Sequence, residues 1–253
     1  MIATRIIPCL LLRNGGLVKT VKFRDPKYLG DPINIVRILN DKEVDELVFL
    51  DITATPERRD PPFELLAQIT SECFMPLCYG GGVRDLATMR TLYAMGIEKI
   101  ALNTAAVESP ELISGAAKEF GAQSVIVSID VKRKFLGGYD VLTHGGRKRT
   151  GRDPIAHARA MEQAGAGEIL LNSIDRDGTM TGYDLDLVRA VADAVSIPVV
   201  ACGGAATLDD LARVVNEAGA SAAAAGSVFV FQGPHRAVLI SYPSQERIRK
   251  SFA

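Results

Sequence analysis

At 253 residues, with 47% hydrophobic and 23% charged positions, the chain has the balance of a globular protein able to bury a sizeable core. Its net charge of −1 gives no global field toward nucleic acid or an anionic membrane. No apolar run approaches the roughly 20 residues that span a bilayer.

In chain order, Met1-Ile2-Ala3-Thr4-Arg5-Ile6-Ile7 begins a strand at once and lacks the charged-then-apolar pattern of a signal peptide, so a cytoplasmic protein is expected. Short apolar runs then alternate with helical patterns, the signature of βαβ units and a parallel sheet. Strands are expected near 5–11, 46–51, 75–80, 98–103, 124–130, 168–173, 197–202 and 221–226. Helices are expected near 32–43, 62–72, 84–95, 109–119, 153–164, 185–194, 207–218 and 243–251. Asp85, Ser109-Pro110 and Thr207-Leu208-Asp209-Asp210 read as helix starts, and Gly96, Gly121, Gly165 and Gly219 as helix ends. The stretch from 12 to 30 is long for a βα connection, carries Arg13, Lys19, Lys22, Arg24 and Lys27, and has Gly15-Gly16 as a hinge. It reads as a mobile cationic lid over an anionic substrate, with a solvated surface loop as the plainer alternative.

The chain also overlies itself at a shift of about 120 residues, which fixes the architecture to look for. Asp45 to Asp51 lies over Gly167 to Ser173, and Pro76 to Gly82 lies over Pro198 to Gly204. Arg5 to Leu11 lies over Ser124 to Asp130, and Asn103-Thr104 over Gly226-Ser227 with one residue of slippage. Eight units and a two-fold repeat predict a single α/β domain over 1–253, a (β/α)8 TIM barrel of two duplicated half-barrels, about 1–122 and 123–253. An open doubly wound sheet is the alternative; two four-strand halves favour closure because closure leaves no exposed edge.

Alternation along the strands assigns faces. One register turns Arg5, Glu46, Lys99 and Glu168 inward at the N-terminal mouth, and Leu11, Asn103, Asp130 and Asn172 inward at the C-terminal mouth. Between them the inward positions are often small: Cys9, Cys78, Ala101, Ser128, Ala222 and Ala224. Barrel active sites form at the C-terminal ends of the strands. There the chain places Gly80-Gly81-Gly82 and Asn103-Thr104, and in the second half Gly203-Gly204 and Gly226-Ser227. Gly81, Gly82, Asn103, Thr104, Gly203, Gly204, Gly226 and Ser227 are thus candidate phosphate ligands, because glycine bares backbone N–H groups and a hydroxyl adds a donor. Glycines also make tight turns, but two matching copies favour a phosphate-bearing small molecule. Cys9, Cys73, Cys78 and Cys202 lack CxxC spacing, and His144, His157 and His235 are scattered. No metal and no cofactor is expected, and the cysteines read as packing residues.

These segments resemble the HisF family, the cyclase subunits of imidazole glycerol phosphate synthase. The resemblance rests on Phe49 to Ala54, Gly80 to Gly82, Asn103 to Val107, Gly165 to Leu171 and Ser173 to Thr179. It implies a half-barrel-duplicated (β/α)8 fold, a two-phosphate nucleotide substrate, and a HisH-type glutaminase on the N-terminal mouth that supplies ammonia through the barrel. On this resemblance Arg5, Glu46, Lys99 and Glu168 form the ammonia gate, with a structural layer of ion pairs as the alternative. The family's acid–base chemistry uses one aspartate on strand 1 and one on strand 5. This chain keeps Asp130 and has Leu11 in the other place. Lys19, Asp51 and Asp177 match family positions at the active mouth. Asp51 is out of phase with Glu46 and is expected to orient Lys19 or a loop; Asp177 is expected to cap a loop or contact substrate.

Arg13 to Thr20 and Asp25 to Pro32 resemble a divergent branch that accompanies a glutaminase and an N-acetyl sugar amidotransferase in making acetamidino sugars for bacterial surface polysaccharides. In that branch the barrel is implied to be an ammonia conduit or an assembly platform, with the sugar chemistry on a third protein. A histidine-pathway cyclase that tolerates Leu11 and a non-catalytic activator of the glutaminase remain the alternatives.

Overall fold

In the computed structural model, which describes residues 4–252, eight parallel strands close on themselves. They are β1 (Arg5–Arg13), β2 (Leu47–Asp51), β3 (Leu77–Gly80), β4 (Lys99–Leu102), β5 (Val125–Arg133), β6 (Glu168–Ser173), β7 (Val199–Cys202) and β8 (Ala222–Ala225). Each pairs with the next, and β8 returns to pair with β1 through Arg5↔Ala222 and Ile7↔Ala224. The open sheet is therefore excluded. Residues 1–3 and 253, the ends of the expected unit, lie outside the described residues.

Among the described residues, eight helices of eight or more residues follow the strands: α1 (Pro32–Asn40), α2 (Phe63–Glu72), α3 (Leu86–Ala94), α4 (Glu111–Phe120), α5 (Pro154–Gln163), α6 (Leu185–Ala192), α7 (Leu208–Asn216) and α8 (Gln245–Phe252). Their ends obey local chemistry. The Asp85 carboxylate accepts from the Thr88 amide, and Thr207 and Asp210 form a reciprocal capping box. Ser109 makes no such cap: α4 starts after Pro110 without a side-chain bond. Thr207→Ala is expected to cost about 1 kcal/mol, because it strands an amide of the first turn; urea unfolding would show it, and an unchanged midpoint would deny the cap any weight.

Two apolar clusters follow from the strand alternation. Ile6, Leu10, Phe49, Tyr79, Leu102, Val127, Ile169 and their neighbours pack outward against the helices. Ile7, Cys9, Val48, Cys78, Ala101, Ile126, Leu170, Val200, Cys202, Ala222 and Ala224 fill the barrel itself. The period of two sends alternate residues to these two environments, so the inward register read from the sequence is the observed one.

The expected mobile loop at 12–30 takes another form. It is an ordered antiparallel hairpin, with Gly16–Val21 paired to the long β1 and Arg24–Gly30 paired to that strand in turn. The long β5 carries a similar extension, Tyr139–Thr143 and Lys148–Arg149. Both hairpins rise from the C-terminal ends of their strands and so become walls of the mouth. Among the described residues, no helix is long and apolar enough to cross a membrane.

Candidate functional site at the C-terminal mouth

The two ends of the barrel carry different chemistry. At the N-terminal floor, β1, β4 and β6 start with Arg5, Lys99 and Glu168, while Glu46 immediately precedes β2. Each carboxylate meets both cations. Arg5 bonds Glu46 at 2.6 Å and also Glu168; Lys99 bonds Glu46 at 2.8 Å and Glu168 at 3.1 Å. Glu46 and Glu168 are buried, so each depends on the two cations. Burial opposes the charge on Arg5, but hydrogen bonding and attraction from Glu168, followed by Glu46, outweigh it and raise its pKa. The ring gathers in space the four residues that the sequence scattered over 163 positions.

At the opposite end lies a cavity of about 780 Å³, within the range of small-molecule sites. Leu11, Lys19, Asp51, Gly81, Gly82, Asn103, Thr104, Asp130, Asp177 and Gly226 all border it. Gly203, Gly204 and Ser227 do not. They line a separate crevice of about 10 Å³ with Lys19, Asp177 and Gly226. The two glycine-rich corners are therefore unequal: one opens on the cavity and the other is closed.

Asp130 sits on β5 beside Asn172 of β6, and Leu11 on β1 beside Leu50 of β2. Both border the same cavity. Asp130 is buried, and removal from water, reinforced by the negative charge of Asp177, pushes its carboxyl up to about 7. A carboxyl poised there exchanges a proton readily near neutral pH. Leu11 adds no titrating partner. Burial also holds the Cys78 thiol well above its ordinary value. For Cys202, a bond to Cys9 raises it, followed by burial. These thiols therefore stay protonated and pack the barrel, as expected of them. Among the described residues, no three His, Cys, Asp or Glu side chains converge as a metal centre would require.

The remaining candidates have specific partners. Asp51 leaves the inward row, and one of its oxygens accepts from the amides of Thr53 and Ala54 and from the Thr53 hydroxyl, at 2.9–3.0 Å. It orients the loop after β2; Lys19 instead bonds Asp177. The Lys19 ammonium is 2.9 and 3.1 Å from the two Asp177 oxygens and 2.9 Å from the carbonyl of Thr20. Asn103 donates to the carbonyls of Ser128 and Leu142. Thr104 Oγ1 accepts from the His144 amide at 3.0 Å, so this corner is braced by the second hairpin.

Glycine is needed at these corners by the backbone alone. Gly82 has φ +73°, and a Cβ there would lie 2.6 Å from the carbonyl oxygen of Arg59. Gly204 has φ +118°, and a Cβ would lie 2.2 Å from the carbonyl oxygen of Gly182. In the closed crevice, the Ser227 hydroxyl is buried without a partner.

Several lining residues escaped the sequence reading: Arg58, Arg59, Arg84, His144, Arg147 and Lys148. The signal for the last three was present in the length of 131–152 and its two glycine pairs, Gly137-Gly138 and Gly145-Gly146. That stretch is as long as the first mouth segment and forms the matching wall.

Comparison with known proteins agrees with this geometry. The family described as "Histidine biosynthesis protein" matches residues 5–235. The chain is 51% identical over 248 residues to "Putative imidazole glycerol phosphate synthase subunit hisF2" of Pseudomonas aeruginosa, covering 98% of this chain and 99% of that protein. It is 46% identical to "Putative imidazole glycerol phosphate synthase subunit HisF" of Leptospira borgpetersenii over 245 residues, 96% of each chain. It is 45% identical to "Putative imidazole glycerol phosphate synthase subunit hisF3" of Vibrio vulnificus over 253 residues, all of this chain and 97% of that one. A closed barrel, a charged floor and this span of similarity lead to one conclusion: the chain belongs to the histidine biosynthesis protein family, among subunits of the HisF type.

Proposed function

We propose that this chain is the ammonia-receiving barrel of a glutamine-dependent amidotransferase system, serving acetamidino-sugar synthesis for bacterial surface polysaccharide in the cytoplasm. A HisH-type glutaminase docks at the N-terminal face, where Arg5, Glu46, Lys99 and Glu168 gate the entry of ammonia. An N-acetyl sugar amidotransferase receives the nitrogen from the C-terminal mouth, where a phosphate-bearing small molecule binds.

The observation that carries this reading is Leu11. It borders the mouth cavity with Asp130, in the place where family cyclases carry their second acid. A lone carboxyl can accept or donate a proton, but ring closure by a divided acid–base pair has only half its equipment here. Loss of one such group is expected to lower the rate by about 10²–10⁴-fold. The half-barrel duplication read from the sequence is supported by the two long first strands, each followed by a hairpin. It is supported too by the matching backbone entering the short helices Thr104–Glu108 and Ser227–Val230, with φ near −110° at Asn103 and Gly226.

A second reading, a working histidine-pathway cyclase, draws on Asp130 being held near neutrality and on the names of the relatives. Turnover separates the two. With saturating ammonium at high pH and the family's nucleotide substrate, the purified chain is expected to show no appreciable cyclisation, and Leu11→Asp is expected to gain some. Robust turnover by the unmodified chain would sink the amidotransferase reading. A third role, a non-catalytic activator of the glutaminase, leaves the large mouth cavity without a use.

A further inference from the structure

We infer that the rim of the C-terminal mouth is a protein-docking surface whose apolar anchor is Phe135 and Leu136, at the tip of the second hairpin. Its occupant is the nitrogen-accepting protein, which offers an apolar pocket rimmed by carboxylates. This rests on the amidotransferase reading above and adds where on this chain that partner sits.

A turn built on two large apolar residues is unusual, because turns favour Gly, Pro, Asn, Asp and Ser. Here the chain reverses over residues 134–137. The Gly137 amide donates to the Lys134 carbonyl at 3.2 Å, and the Lys134 amide to the Gly138 carbonyl at 3.0 Å. Gly137 and Gly138, at φ +92° and +74°, make the reversal possible. Phe135 and Leu136 take its two central positions and are fully exposed. A Cβ on either glycine would meet nothing within 4 Å, so the rest of the chain stays clear of this turn.

The tip stands on a fastened stem. The Arg133 amide donates to Asp175 at 2.8 Å, and the Arg133 guanidinium donates to Asp184 and to the Tyr139 hydroxyl. Tyr139 donates in turn to Asp184 at 3.0 Å, with Arg133 lying over its ring. Strand pairing from Asp130↔Leu142 to Arg133↔Tyr139 sets the turn about 13 Å along the chain from Asp130. An anchor ordered before it binds loses little freedom on binding.

The tip is part of a wider apolar rim. Seven large hydrophobic residues are exposed among the described residues, and five of them lie on three hairpins at this mouth. They are Tyr28 on the first, Phe135 and Leu136 on the second, and Val238 and Leu239 on and just past a third, which pairs Phe231–Gln232 with Ala237–Val238 after β8. Lys27 donates to the Arg236 carbonyl at 3.0 Å, which joins the first hairpin to the third. A Cβ at Gly146 would lie 2.8 Å from the Phe23 ring, so the second hairpin lies against the first. Exposed apolar side chains gathered at one end of a molecule mark an interaction surface.

Charge selects the occupant. Residues 131–152 hold seven Lys or Arg against one Asp, in a chain whose net charge is −1. Arg133, Lys148 and Arg149 are paired to Asp184, Glu108 and Asp140. Among the described residues, Lys132, Lys134 and Arg147 have no carboxylate within ion-pair distance. A second copy of this chain would set like charges against one another. A bilayer on the rim would cover the mouth cavity, and two inserted side chains are a weak hold. An acidic protein with its own apolar pocket satisfies both the charge and the tip, and it meets nitrogen where the barrel ends.

Biolayer interferometry tests this, with the full chain immobilised and the purified N-acetyl sugar amidotransferase of the same organism in solution. The unmodified chain is expected to bind, more weakly as salt is raised. Affinity is expected to fall by about tenfold or more in Phe135→Ala/Leu136→Ala and in Lys134→Glu. These three residues are exposed, so the variants are expected to fold, and unchanged glutaminase binding at the opposite face is the control. No binding by the unmodified chain, or equal affinity in the tip variant, would overturn the inference. So would tip-dependent flotation with vesicles of phosphatidylcholine and phosphatidylglycerol, which assigns the tip to a membrane. Tip-dependent dimerisation in sedimentation would assign it to a second copy and overturn the inference as well. The two readings fail separately. Equal affinity in the tip variant with glutamine-coupled transfer intact removes the anchor alone, whereas tip-dependent binding beside robust cyclisation by the unmodified chain removes the amidotransferase reading alone.

Discussion

Lys99→Met is expected to destabilise the fold by about 2–3 kcal/mol, because it leaves two buried carboxylates sharing one partly exposed cation. Glu46 and Glu168 each accept from Lys99 and from Arg5. Their side chains are only 4% and 6% exposed, so neither can turn to water for replacement bonds. The Arg5 side chain, 31% exposed, keeps its contacts and limits the loss. Combining Lys99→Met with Glu168→Leu removes one charge of each sign and is expected to recover part of the stability. Urea unfolding of the two variants measures both effects. A single variant within about 0.5 kcal/mol of the parent would show that the ring is hydrated and contributes little. The same single variant also bears on the proposed gate: glutamine-coupled transfer should change while glutaminase binding survives.

Asp130→Asn is expected to behave in the opposite sense, stabilising the chain by about 2 kcal/mol at pH 8 and by almost nothing at pH 4. Burial, followed by the charge of Asp177, raises the Asp130 carboxyl to about 7. Between the ordinary aspartate range and that value the folded chain holds a proton that the unfolded chain has released. Stability therefore falls as pH rises through this window, and the whole cost is present above it. Each pKa unit corresponds to about 1.4 kcal/mol, and the expected gain is set at roughly half of the resulting limit because the cavity admits water. An amide of the same shape carries no charge and removes the pH dependence. Equal unfolding free energies for the two proteins at pH 8 would mean that Asp130 ionises without penalty and has no special proton affinity. Any proton transfer that the mouth performs should vanish in the same variant, so a gain in stability accompanied by a loss of activity would mark the site as strained for chemistry.

Leu11 gives the mouth a different balance from a site with two acids. Across the mouth from Asp130, an aspartate at this position would add negative charge to the same cavity and oppose ionisation of Asp130. With Leu11 in place, the charge that Asp130 feels comes from Asp177. That residue is itself tied to Lys19 by the first hairpin. The proton affinity of Asp130 is thus linked to the first hairpin through the Lys19–Asp177 pair.

Alternation alone determined the barrel interior. Residues two apart share a face, so Arg5, Ile7, Cys9 and Leu11 had to point together, as did Ser128 and Asp130, and parallel pairing then aligned the rows. The charged floor, the position of Asp130 and the glycine corners were legible for that reason. The first hairpin was hidden because Arg24–Gly30 is mostly exposed, shows no apolar alternation, and contains Pro26, which reads as a strand breaker. Only the tertiary structure brought Lys19 to Asp177 across 158 positions, and only there did the two similar glycine corners become one open and one sealed. Periodicity records which way a side chain faces, whereas a salt bridge or a cavity depends on how far apart distant segments come to rest; the first is local and the second is not.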